Sequence, residues 1–115
     1  MVIFTKDNLT EIVKGEKIET RRIWKTPHVR VGGTYPLRSS RFAPVPPDAP
    51  RITVDALYLQ PLGIMTPEAA AREGCKSLDE FRDLWIRLHG SWEPGREVWV
   101  VRFHLVGNTE EMIEK

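Results

Sequence analysis

The sequence of 115 residues has a single cysteine, Cys75, and no apolar run long enough to cross a bilayer. One thiol excludes an intramolecular disulfide and any zinc site built from several thiolates. The first residues lack the charged, apolar and cleavage regions of a secretory signal. The three histidines are scattered, and no glycine-rich loop that could cradle phosphates occurs. These absences predict a cytoplasmic protein with no metal, no cofactor and no membrane contact.

The composition is that of an ordinary globular domain. Hydrophobic residues make up 41% and charged residues 29% of the chain, which is typical of a folded protein rather than a disordered one. A chain of this length can bury a core without crosslinks. The sequence therefore predicts one domain over residues 1–115, and it leaves the oligomeric state open.

Charge is distributed unevenly along the chain. The formal net charge is +1, but from Lys14 to Arg51 nine cations stand against three acids, a local balance of +6. A basic segment on a nearly neutral protein is typical of a surface that binds polyanions. The alternative is a charged face that is simply solvated.

Hydrophobic spacing and turn residues predict strands at both ends of the chain with helices between them. Helices are predicted at 7–15, 66–74 and 77–90, strands at 2–5, 31–38, 51–62 and 97–106, and a strand or the approach to one at 17–23. Asp7 or Asn8, Thr66 and Ser77 are the predicted N-caps, with Glu80 completing a capping box beside Ser77. Gly15, Gly74 and Gly90 are the predicted helix ends. This pattern predicts an α+β fold with a mixed or antiparallel sheet, curled into a small barrel.

The segment "KGEKIETRRIWK", residues 14–25, gathers five cations around a hydroxyl and an aromatic ring. A threonine hydroxyl becomes a nucleophile when a neighbouring base takes its proton, and Lys17 stands three residues before Thr20. In a regular strand the two side chains would lie on opposite faces, so they meet only at a bend. A surface lysine beside a strand threonine is the alternative.

The other cations of this segment fit an anionic ligand. Arg21 and Arg22 can grip phosphate through forked hydrogen bonds, with Lys14 and Lys25 nearby. Trp24 can stack on a base. The alternatives are two exposed arginines, or one ion-paired with Glu19 or Glu73, and a tryptophan that anchors a loop.

Glu73 falls at the C-terminal end of a predicted helix, where the helix dipole disfavours a carboxylate. This small local cost marks Glu73 as a residue with a possible use beyond the helix.

Taken in order, these segments resemble the ASCH domain family of the PUA-like superfamily. Gly15, Lys17, Thr20 and Arg22 in "GEKIETRR" match the family pattern G-x-K-x-x-T-x-R, although Ile18 stands where the family often has threonine. "VGGTYPLR", "EAAAREGCKSLDEFRDLWIRLHG" and "EVWVVRFHLV" resemble later family segments in the same order. The resemblance covers nearly the whole chain and implies a PUA-like β-barrel with flanking helices.

The resemblance implies several functions. The first is binding of RNA or a modified nucleotide in a basic cleft. The second is hydrolysis of N4-acetylcytidine, with Thr20 as nucleophile, Lys17 as its base and Glu73 as a proton shuttle or orienting group. Other members are similar to ribonucleases, so whether this chain is an enzyme stays open. A third hypothesis is an adaptor that binds a protein through the proline-rich loop at 43–50.

Overall fold

The computed structural model describes residues 4–38 and 49–106. The helices are α1 (Lys6–Val13), α2 (Pro67–Arg72) and α3 (Leu78–His89), with one 3₁₀ turn at Leu62–Ile64. The strands are β1 (Glu19–Arg22), β2 (Thr34–Pro36), β3 (Arg51–Pro61) and β4 (Glu97–Val106). Residues 2–3 of the predicted strand at 2–5 and residues 43–48 of the proline-rich loop at 43–50 lie outside the described residues. Phe4 and Thr5 are described, and they are not part of a strand, because Thr5 caps α1.

The four strands form one antiparallel sheet in the order β1-β4-β3-β2. The last strand, β4, is therefore central, and Thr20 of β1 stands opposite its Val101. Strand β3 has a register shift between Val54 and Ala56, which leaves Asp55 as an extra residue. A bulge of this kind bends a strand and increases its twist. The bulge consequently bends β3 at this point.

The α+β class is confirmed, but the closed barrel is not found within residues 4–38 and 49–106. The sheet is open, with β1 and β2 at its two edges. These edge strands have only four and three residues, which is too few hydrogen-bonding groups to continue the sheet round to itself. All described pairs are antiparallel, so the mixed alternative is also not seen.

Local signals placed most helix ends correctly. Thr66 Oγ1 accepts a hydrogen bond from Ala69 N at 3.1 Å, and Ser77 Oγ accepts one from Glu80 N at 3.1 Å. The three predicted terminal glycines all have positive φ, between 83° and 90°, a region in which side chains other than hydrogen are strained.

Two capping predictions were wrong. The N-cap of α1 is Thr5 rather than Asp7 or Asn8, since Thr5 Oγ1 accepts the hydrogen bond from Asn8 N at 3.2 Å. The Glu80 carboxylate accepts from Lys76 N rather than from the Ser77 backbone.

Buried apolar side chains form two clusters on either side of the site described below. One cluster lies against the sheet and includes Phe4, Ile12 and Phe103, and the other joins α2 and α3 to the start of β4 through Ala70, Trp85 and Val98. No helix of the described residues is long and apolar enough to span a membrane.

Candidate functional site

The approach to β1 places Lys17 inside the protein. Gly15, with φ of 83°, turns the chain away from α1. Ile18 then donates from its N to Arg72 O at 2.8 Å and accepts from Phe103 N at 2.9 Å. These backbone bonds tie residues 17 and 18 to the end of α2 and to β4. Lys17 and Thr20 both line one cavity at this edge of the sheet.

Lys17 and Glu73 form a buried ion pair. Lys17 Nζ lies 2.8 Å from Glu73 Oε1 and 3.0 Å from the Glu73 carbonyl oxygen. Both residues are only 5% exposed. Glu73 is the C-cap of α2, so an ammonium group beside its carbonyl also offsets the negative end of the helix dipole.

Arg21 holds the other oxygen of the same carboxylate. Its Nη1 lies 3.0 Å from Glu73 Oε2 and 2.7 Å from Glu19 Oε2, while Nη2 donates to Gln60 Oε1 at 3.1 Å. Lys17 and Arg21 therefore fix Glu73 from both sides. Arg21 Nε is buried and has no hydrogen-bond partner.

Glu19 is a buried carboxylate that binds Arg21 and two further arginines. It is 0% exposed, and its Oε1 accepts from Arg72 Nε at 3.0 Å and from Arg102 Nη2 at 3.2 Å. Burial alone would raise the pKa of Glu19, but the hydrogen bonds from Arg21 and Arg72 outweigh it and lower that pKa. Glu19 is thus held as a carboxylate among three arginines.

Thr20 and Arg22 lie on the opposite face of β1. Arg22 Nε donates to Thr20 Oγ1 at 3.2 Å, and the guanidinium lies 4.9 Å from the centre of the Phe4 ring. Burial lowers the pKa of Arg22, and the nearby charge of Glu73 offsets only part of this effect. A guanidinium at this position can stabilise negative charge that develops on the threonine oxygen.

These side chains line one cavity of about 280 Å³. Its polar wall comes from β1 and its approach together with the end of α2: Lys17, Thr20, Arg21, Arg22 and Glu73. Its apolar wall comes mainly from α3: Phe81, Leu84, Trp85 and Leu88. The three basic groups and one acidic group of the polar wall give it a formal excess of two positive charges.

Two solved structures share this architecture. The ASCH domain of Lactobacillus crispatus matches with a TM-score of 0.65 and 16% identity, over 90% of this chain and 77% of that one. The chain has the fold of an ASCH domain. A protein of Enterococcus faecalis described by the family model DUF984 matches with a TM-score of 0.61 and 16% identity, over 92% and 71%. No protein-family model and no curated protein matches the sequence.

The ASCH fold does not bring every predicted binding residue to the cavity. Lys14 and Lys25 are exposed and are not among its lining residues. Trp24 stacks on His28 with ring centres 4.6 Å apart and packs against the sheet core. Arg21 is buried, so a ligand could reach it only from the cavity. Nucleic-acid binding by these four residues stays a prediction.

Other residues of the site were missed by the sequence reasoning. Gln60 accepts a hydrogen bond from Arg21, and His89 joins the cavity beside Trp85, with ring centres 4.1 Å apart. The alternative of an arginine ion-paired with Glu19 or Glu73 is confirmed for Arg21, which pairs with both. Among the residues described, no cluster of His, Cys, Asp and Glu could hold a metal.

We expect Cys75, which lines the same cavity, to react slowly with iodoacetamide. Burial, together with the nearby Glu80 and Glu73 charges, raises the pKa of its thiol from 9.0 to about 11. The thiolate fraction near pH 7.5 should then be about 100-fold lower than for an ordinary thiol, and alkylation should slow by a similar factor. Mass spectrometry against the urea-unfolded chain measures this, and equal rates in both states would contradict it.

Proposed function

We propose that this chain binds one modified nucleoside, either free or as an unstacked nucleotide of RNA, in the cavity between β1 and α3. The observation that carries this is the contrast between the two walls. One wall presents ammonium, guanidinium, hydroxyl and carboxylate groups, and the other presents apolar side chains. A nucleobase has a polar edge and flat apolar faces, which match these walls.

The size of the cavity supports a single nucleoside. Pockets for drug-sized ligands have volumes of about 300–1,000 Å³. This cavity, of about 280 Å³, lies just below that range and therefore suits a ligand no larger than one nucleoside. A duplex is excluded from such a space by its width, whereas one unstacked base is admitted. Exposed cations outside the cavity, such as Lys14 and Lys25, would then serve the flanking phosphates of an RNA ligand.

Replacing Leu88 with serine should weaken nucleoside binding without unfolding the protein. Leu88 lines the cavity and is 68% exposed, so it contributes little to the core. Losing part of its contact with a base should reduce the binding free energy by about 1 kcal/mol, which raises Kd about fivefold. Isothermal titration with N4-acetylcytidine measures the change.

Ile86→Ser is the matched control. Ile86 lies on the same helix and is 38% exposed, but it is not among the residues lining the cavity. Its replacement should leave the Kd unchanged. The opposite outcome has two parts: the nucleoside does not bind, and RNA binds to both variants with the same affinity, which falls steeply with salt. That outcome would mean that the cavity is not the binding site.

A second candidate is hydrolysis of an N4-acetylated nucleoside. It is favoured by the Lys17 Nζ–Glu73 Oε1 contact of 2.8 Å in the cavity that Thr20 also lines. Lysine must lose a proton before it can act as a base. Glu73 is positioned to accept that proton, and the Arg21 contact to Glu73 Oε2 opposes this transfer.

The reaction would proceed by acyl transfer through Thr20. Neutral Lys17 takes the hydroxyl proton as Thr20 Oγ1 bonds to the acetyl carbon, and Arg22 stabilises the developing charge. The C–N bond then breaks, and the departing amine takes the proton from Lys17. Water hydrolyses the acetyl ester to acetate and restores Thr20. Acetate release from N4-acetylcytidine tests this candidate.

The ribonuclease and adaptor hypotheses have no comparable support. Residues 43–48 of the proline-rich loop at 43–50 lie outside the described residues. Protein binding through that loop stays a prediction, and deletion of 43–50 with retention of nucleoside binding would separate it from the cavity.

A further inference from the structure

A second cavity of about 150 Å³ adjoins the first. The two share Ile23, Trp85 and His89 as lining residues, so they meet along the last turn of α3. The second cavity differs in chemistry, because the turn before β4 adds three polar side chains: Ser91, Glu93 and Arg96. The shared lining residues place the second cavity within reach of a ligand in the first.

The turn that carries these side chains is held firmly by backbone hydrogen bonds. Leu62 N donates to Arg96 O at 2.9 Å, and Gly63 N donates to Pro94 O at 2.8 Å. Within the turn, Arg96 N donates to Glu93 O at 3.0 Å. The polar groups are therefore presented from a fixed backbone, which is the condition for a specific subsite.

The charges of the second cavity favour a neutral polyhydroxyl group. Glu93 offers acceptors and Arg96 offers donors, so their formal charges cancel. Burial, and then the charges of Arg96 and Arg22, lower the pKa of His89, which keeps its imidazole neutral at pH 7. A carboxylate beside a neutral imidazole disfavours a phosphate dianion but accepts hydrogen bonds from sugar hydroxyls.

We propose that the second cavity is a ribose subsite, so that the ligand is a ribonucleoside with its base in the first cavity and its sugar beside Glu93. This rests on the proposed nucleoside binding and adds the sugar as a determinant of affinity. The Glu93 carboxylate accepts from the ribose hydroxyls, and Arg96 and Ser91 donate to sugar oxygens.

The test compares two probes that differ only by the sugar. N4-acetylcytidine carries ribose, whereas N4-acetyl-1-methylcytosine has a methyl group at the same ring nitrogen. Titration calorimetry should show the ribonucleoside binding about tenfold more tightly, the factor expected for one hydrogen bond to a charged group. Glu93→Ala should remove this advantage and leave binding of the methylated base unchanged.

Glu97→Ala is the matched control, because Glu97 is an exposed carboxylate at the start of β4 that lines neither cavity. It should retain the tenfold difference. If both probes bind equally and Glu93→Ala changes neither Kd, the ribose subsite is refuted while nucleoside binding stands. If neither probe binds to the folded protein, both proposals are overturned.

Discussion

Replacing Glu19 with glutamine is expected to lower the free energy of unfolding by about 3–5 kcal/mol, the usual cost of removing one partner of a buried ion pair. Glu19 is fully buried and accepts hydrogen bonds from Arg21, Arg72 and Arg102. The neutral amide would leave the buried Arg21 with one fewer negative charge. Urea unfolding followed by tryptophan fluorescence measures the loss.

The same substitution should change how stability depends on pH. The pKa of Glu19 is lower in the folded protein than its ordinary value of 4.5, so the unfolded chain binds a proton at a pH where the folded protein does not. Its stabilisation is complete above 4.5 and is lost as pH falls through the folded pKa. The difference between wild type and Glu19→Gln should therefore shrink below about pH 4.5.

Glu97→Gln provides the comparison for this experiment. Glu97 is exposed, and an exposed charge contributes at most about 1 kcal/mol. Its replacement should leave the unfolding midpoint nearly unchanged. Equal losses for the two variants would mean that the arginine cluster around Glu19 does not stabilise the fold.

Replacing Thr20 with alanine should reduce acetate release by roughly 10³-fold or more, because loss of a nucleophile leaves only binding and charge stabilisation. The substitution removes one buried hydroxyl and the hydrogen bond that it accepts from Arg22. This is a small change to the packing, so the fold should be retained. The Kd for N4-acetylcytidine should change far less than turnover. Single-turnover assays with saturating protein measure the chemical step separately from binding.

Thr20→Ser is the control, because it retains a hydroxyl at the same position. It should keep measurable turnover, reduced mainly by its greater rotational freedom. Full activity in Thr20→Ala would rule out the threonine nucleophile. Absence of turnover in folded wild type that still binds the nucleoside would leave a binding protein.

The local parts of this structure were the easiest to predict. Thr66, Ser77 and the glycine at the end of each helix act on their own neighbours, so a short window of sequence contains the information. Strand β4 was also placed correctly, since ten residues with β-branched and aromatic character form a strong signal. Thr5 was missed because Asp7 and Asn8 are equally good caps by residue type.

The candidate site was harder because its contacts join distant segments. Glu73 binds Lys17 across 56 residues, and only the family resemblance paired them in the sequence. Pairing of Glu19 with a neighbouring arginine could be weighed from the sequence, but Arg72 and Arg102, which come to it from α2 and β4, could not. The open sheet was missed for the same reason, since strand pairing between remote segments leaves no local pattern.

The central place of β4 has a consequence for synthesis of the protein on the ribosome. In the sheet, β1 pairs only with β4 among the described strands, and Arg102 of β4 also completes the shell around Glu19. Until β4 has left the exit tunnel, the nascent segment that carries Lys17 and Thr20 has neither its strand partner nor its full set of counter-charges. The cavity should therefore form in one late step, and a chain arrested before residue 97 should remain sensitive to protease throughout.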